Sequence, residues 1–128
     1  MNNIALACVA VLGLLLFGLG LSVSMMRFRE RTMSGCADDP DDLLHKLVRA
    51  HGNTAEYAPF LAVLFLFLGA RSPSTLTVSL IVVATVCRCL HVVGLVAFPT
   101  MAKPNPLRFV GGLGTYGAGI ALCLTLMR

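Results

Sequence analysis

The sequence predicts an all-α integral membrane protein, an up-down bundle of four helices. Three observations carry that reading. Four apolar runs, at roughly residues 4–26, 53–70, 76–98 and 109–127, hold most of the 128 residues. Each is close to the ~20 residues that a helix needs to cross the hydrocarbon of a bilayer. Hydrophobic residues make up 57% of the chain and charged ones only 12%, about half the charge of a soluble domain. The connections between the runs are short, which makes consecutive helices antiparallel neighbours. With flanking helical residues included, the spans extend over roughly 4–26, 43–70, 75–98 and 107–127. They fill residues 1–128 as one four-span membrane domain and leave no room for a soluble one.

The first run begins "MNNIALACVAVLGLLLFGLGLSVSMM", with no basic residue before its apolar core. That core exceeds the ~7–15 residues of a secretory signal, so a retained span is expected. After it, "DDPDD" marks a turn, and Asp41 or Asp42 is placed to cap a helix starting near Leu43. A helix from there to Leu68 is about 39 Å long, so its first turns are expected to project beyond the hydrocarbon. Pro59 should kink it and free the carbonyl of Ala55. The connection "ARSPST" places Pro73 in a turn or at a first helical position. "FPTMAKPNP", with three prolines, closes the third span. In the fourth, the glycines of "GGLGTYGAG" allow close helix contact, as small residues do in lipid.

The formal charge is +4, but it sits at membrane borders, so no nucleic-acid partner is expected. Arg27, Arg29 and Arg31 follow the first span, Lys46 and Arg49 open the second, and Lys103 and Arg108 lie between the third and fourth. Only Arg71 and Arg128 lie at the opposite side. The positive-inside rule then puts the first and third connections in the cytoplasm and both termini away from it. In a bacterium this would be the inner membrane. The cysteines Cys8, Cys36, Cys87, Cys89 and Cys123 have neither disulfide-framework nor zinc-site spacing, and no metal is expected.

Ions inside a span are the informative exception. In "RAHGNTAEYAP", Arg49, Asn53 and Glu56 fall within an arc of roughly 60° on one helix face, with His45 extending the stripe. A carboxylate within a span costs about 3 kcal/mol, so Glu56 is expected to face the bundle interior and to have a partner. In "CRCLHVVGL", Arg88 and His91 are three apart on the third span. Arg108 and Arg27 stand at the same level on the fourth and first. One reading is a buried structural pair of Glu56 with an arginine, the remaining cations snorkelling to the interface. The other is a binding site, in which the arginine excess calls for an anionic ligand. His51 points away from the stripe and is expected to be solvated or packed.

These residues resemble the MAPEG superfamily, membrane-associated proteins in eicosanoid and glutathione metabolism. The resemblance covers essentially the whole chain, through "MRFRER" after the first span, "RAHGNTAEYAP", "RCLH" and "NPLR". It implies a homotrimer in the lipid bilayer, with glutathione as co-substrate bound between subunits near the cytoplasmic side. It implies further that Arg49, Asn53 and Glu56 contact glutathione, with Tyr57 close by. Arg27, His91 and Arg108 match the family's polar positions on the other helices. Arg108 is the candidate for holding the thiol as thiolate, and Arg88 is a structural polar residue. Guanidinium groups suit the two carboxylates of glutathione, and Glu56 suits its ammonium.

The implied activity is a glutathione transferase or peroxidase acting on lipophilic electrophiles that enter from the bilayer. Leu95, Gly52 and Gly112 stand where some members carry tyrosine, arginine and tyrosine, which argues against specialised prostaglandin or leukotriene synthesis. Two other classes remain. One is a non-catalytic relative binding a lipophilic ligand or partner in the same groove. The other is a small four-span exporter using Glu56 as a proton-coupled cation site, against which the neighbouring arginines argue.

Overall fold

The computed structural model describes residues 1–127, among which the regular elements are all helical, with four helices long and apolar enough to cross a membrane. Arg128 lies outside the described residues. Helix α1 (Asn3–Arg29) starts where the Asn2 side chain accepts hydrogen bonds from the amides of Ile4 and Ala5. Its last turn holds Arg27 and Arg29, which suit the negative end of the helix dipole. The chain then turns through Arg31 (φ 53°) and Gly35 (φ 73°).

Helix α2 (Leu43–Ala70) is capped by Asp42, whose carboxylate accepts from the His45 amide at 2.8 Å. It keeps Pro59 inside its length. Its 28 residues reach about 42 Å, longer than the hydrocarbon is thick. Ser74 caps α3 (Thr75–Val96), leaving Pro73 in the turn before it. Asn105 caps α4 (Pro106–Thr125), with proline at the first helical position, where its missing N–H costs nothing.

Two contacts fix the up-down arrangement. The amide of Asn2, before α1, donates to the carbonyl of Gly69 near the end of α2. The ammonium of Lys46, in the first turn of α2, donates to the carbonyls of Phe98 and Pro99 just past α3. The start of each helix therefore meets the end of its neighbour. The bundle has a basic end, with the α1–α2 and α3–α4 connections, and a terminal end. Across the basic end the amide of Met101 donates to the carbonyl of Pro40 and joins the two connections.

The interior has two apolar clusters. One lies toward the terminal end, around Leu12, Leu61, Leu64, Phe65, Ile81 and Leu122. The other lies toward the basic end, around Leu19, Val23, Leu44, Leu47, Val92 and Leu95. Helices α2 and α3 are the more buried; α1 packs on both, while α4 packs on α3 and barely meets α2. A groove therefore opens between α2 and α4. Elsewhere the outward face carries Leu14, Phe17, Leu21, Val63 and Leu113, an apolar coat suited to lipid.

The α3–α4 contact is very close. A Cβ at Gly111 would stand 2.6 Å from the Cys87 carbonyl oxygen and the His91 amide, and one at Gly94 would stand 2.6 Å from the Arg108 amide. Glycine at both positions lets the backbones approach. That approach brings the start of α4, with Arg108, against His91.

Candidate functional site

Arg88 lies in α3 at a depth between the two apolar clusters, 1% exposed. Its Nη2 donates to Oδ1 of Asn53 on α2. The guanidinium carbon stands 5.0 Å from the centre of the Tyr57 ring, within range of a cation–π attraction. The Tyr57 hydroxyl in turn donates to the Tyr116 hydroxyl at 3.4 Å, and the two rings are 5.7 Å apart. Nε of Arg88 is buried and has no partner among the described residues. Asn53 and Tyr57 therefore enclose a buried cation at the middle of the bundle.

Nearer the basic end, Nδ1 of His91 donates to the Arg108 carbonyl at 3.0 Å. A carbonyl can only accept, so this contact places the proton on Nδ1 and leaves Nε2 as the acceptor of a neutral ring. Asn105 does two jobs. Its Oδ1 accepts from the Arg108 amide at 2.9 Å, and its Nδ2 donates to the Gly94 carbonyl at 2.6 Å. Arg108 itself donates from Nη1 to the Met101 carbonyl at 2.8 Å. These residues line a cavity of about 370 Å³ that also includes Gly112 and Tyr116. A second cleft, of about 470 Å³, lies between His45 and Arg49 on α2 and Leu95, Met101 and Arg108. Arg108 borders both.

One expectation needs correcting. Glu56 does not face the bundle interior; it is exposed on the single chain and lines the α2–α4 groove. The reason is helical geometry. Glu56 follows Arg49 by seven residues and shares its outward face, and the inward positions at that level go to Thr54 and Ala58. A buried Glu56–arginine pair within one chain is thereby excluded. Arg49, Glu56, His91 and Arg108 border connected clefts, but Arg27 does not join them. It lies in a groove of about 600 Å³ between α1 and α2, shared with Gly20, Ser24, Val48 and His51.

His51 points away from the stripe, as the spacing predicts. Two positions from Arg49, it lies ~160° around α2 from it. There it is half-buried and close to Gly20, where an added Cβ would come within 3.2 Å of its Nε2. Arg27 is half-buried beside it, with Nε buried and unpartnered among the described residues. Gly20, one turn before Ser24 and two before Arg27, was the available signal. Asn105 was missed, although "NPLR" has the pattern of a cap followed by proline.

Each chain thus carries two polar clusters at the same end. One, on the α1–α2 side, offers Arg27 and His51. The other, on the α2–α4 side, offers Arg49, Glu56, His91 and Arg108. Neither encloses a ligand by itself. Guanidinium groups on both suit carboxylates, and the Glu56 carboxylate suits an ammonium.

Comparison with curated proteins and with solved structures finds no match. A family model, that of the MAPEG family, matches residues 5–128. With its four membrane-length helices and this match over nearly its whole length, the chain belongs to the MAPEG family, membrane proteins of glutathione and eicosanoid metabolism.

Proposed function

We propose that the protein is a membrane-bound glutathione transferase or peroxidase, working as a homotrimer of single four-span domains. The observation that carries this reading is the division of the polar residues between two sides of α2. A ring of identical copies apposes the Arg27–His51 face of one protomer to the Arg49–Glu56–Arg108 face of the next. A closed ring needs such a heterologous contact. It also covers Glu56, which would otherwise stand exposed at membrane depth.

In the shared site Arg27 and Arg49 hold the carboxylates of glutathione and Glu56 holds its ammonium. Arg108, restrained by the Met101 carbonyl, faces the sulfur and stabilises the thiolate, the reactive form of a thiol. His91 fixes the backbone at Arg108 and offers Nε2 to the peptide. Asn53 and Tyr57 border the site while holding Arg88. The thiolate attacks a lipophilic electrophile that arrives from the bilayer, and the basic end faces the cytoplasm, with both termini opposite.

A non-catalytic binder of lipophilic molecules is the second reading, favoured by the apolar α2–α4 groove of about 520 Å³. Turnover separates the two. The detergent-purified protein should conjugate glutathione to chlorodinitrobenzene or reduce cumene hydroperoxide, and Arg108→Ala should lower the rate severely at neutral pH. Saturable glutathione binding with no turnover of any electrophile would support the second reading instead.

A further inference from the structure

The α2–α4 groove has one polar end and an apolar remainder. Glu56 and the Tyr57–Tyr116 pair lie at one end, and Phe60, Leu64 and Ile120 continue it toward the terminal end of the bundle. Tyr116 is half exposed and also lines the cavity that holds His91 and Arg108. It is therefore the shared wall between the polar site and the groove. The proton of Tyr57 is directed at the Tyr116 oxygen, so the Tyr116 proton is available to a third group. A hydroxyl at the end of an open apolar groove suits an amphiphile with an oxygen at one end and an alkyl tail behind it.

We propose that this groove is the acceptor site, and that it takes long-chain α,β-unsaturated carbonyl compounds with the carbonyl oxygen on the Tyr116 hydroxyl. The proposal rests on the transferase reading for its nucleophile. The glutathione thiolate adds to the β-carbon and forms the sulfur–carbon bond. The π pair of the C=C bond shifts toward the carbonyl, whose oxygen becomes an enolate held by the Tyr116 O–H. Water then delivers a proton to the α-carbon and the carbonyl is restored. A donor aimed at an oxygen where charge develops lowers that barrier, and more so in a water-poor slot. Tyr57 is a positioning residue, acting through its hydrogen bond to Tyr116 and kept in place by Arg88 above its ring. Glu56, at the same end of the groove, would bring the peptide ammonium beside the reacting carbons.

Two measurements on the purified wild-type protein test this. The first is the ratio of kcat/KM for a long-chain alkyl enone to that for chlorodinitrobenzene, which has no carbonyl to polarise. Tyr116→Phe should lower this ratio about 10²-fold, the scale of one lost oxyanion donor. Tyr57→Phe, which keeps the ring under Arg88, should lower kcat for the enone without raising its KM. An unchanged ratio in Tyr116→Phe overturns the role of the hydroxyl.

The second measurement needs no turnover. Cys123 lines the groove, so a saturated long-chain ketone should slow its labelling by a small maleimide, and less so in Tyr116→Phe. No slowing in the wild type would mean that lipid or a neighbouring copy fills the groove, and the acceptor site would be wrong. If the ketone protects Cys123 but neither acceptor is conjugated, the transferase reading fails and the addition step falls with it.

Discussion

The ammonium of Lys46 lies 3.1 Å from the carbonyl oxygen of Phe98 and 3.0 Å from that of Pro99, buried where α2 begins and α3 ends. Two residues further on, the carbonyl of Met101 accepts from Arg108. The segment from Phe98 to Met101 is therefore held by cations from α2 and α4. Lys46→Met removes one of them and strands two carbonyls, which should cost about 1–3 kcal/mol. Thermal unfolding in detergent should show this loss, and glutathione affinity should fall because Arg108 is less restrained. Lys46→Arg should recover part of both.

Helix α4 has no room to gain a methyl group where it crosses α3. Gly111→Ala places a Cβ 2.6 Å from backbone atoms of Cys87 and His91, so the helices must separate. Overpacking of this kind costs about 1–3 kcal/mol. Gly117→Ala, where nothing lies within 4 Å, is the control and should be neutral or stabilising in the same assay.

Arg88 is buried and held by Asn53, so Asn53→Ala should reduce stability by about 2 kcal/mol, the scale of a hydrogen bond to a charged group. Glu56→Gln, a change of nearly equal size at a side chain exposed on the single chain, should leave the unfolding temperature nearly unchanged while weakening glutathione binding. The pair separates residues that hold the bundle from residues that hold the ligand. Equal losses of stability in both would contradict this division.

Arg108 should act on the ionisation of the bound thiol. A free thiol titrates near ~8.5, and a guanidinium beside it favours the thiolate at lower pH. In Arg108→Ala the rate should therefore rise with pH toward that free value, so the deficit relative to wild type is largest below neutrality. A pH–rate profile of conjugation, with thiolate absorbance of the bound peptide, checks the sign. A variant profile that coincides with wild type would exclude Arg108 from this role.

Much of the fold was legible because membrane spanning imposes a coarse, length-based code. Four apolar runs gave four helices, and Asp42 before an apolar stretch was readable as a cap. The stripe of Arg49, Asn53 and Glu56 was also legible from spacing. Its direction was not. A 60° arc says which residues share a face, but the direction of that face depends on which neighbours a helix has. Here α1 and α3 take the sides of α2 away from Glu56, and α4 stays back, so the carboxylate is left on the outside. The spacing placed His51 away from the stripe, and the structure shows that this means toward α1, where Gly20 makes space beside Arg27. The Lys46 contact joins residues 52 and 53 positions apart, beyond any local pattern.

The central claim is that each glutathione site is shared, with Arg27 from one protomer and Arg108 from the next. Complementation tests it most directly. Arg27→Ala and Arg108→Ala, each with little activity alone at neutral pH, would be co-expressed with different tags, and mixed assemblies would be isolated through both and assayed at that pH. In a mixed trimer, a closed ring of three shared sites, one junction pairs an intact Arg27 with an intact Arg108, so about a third of the sites are regenerated. Conjugating activity near that fraction of wild type is the predicted result. Mixed assemblies as inactive as either parent would contradict the shared site.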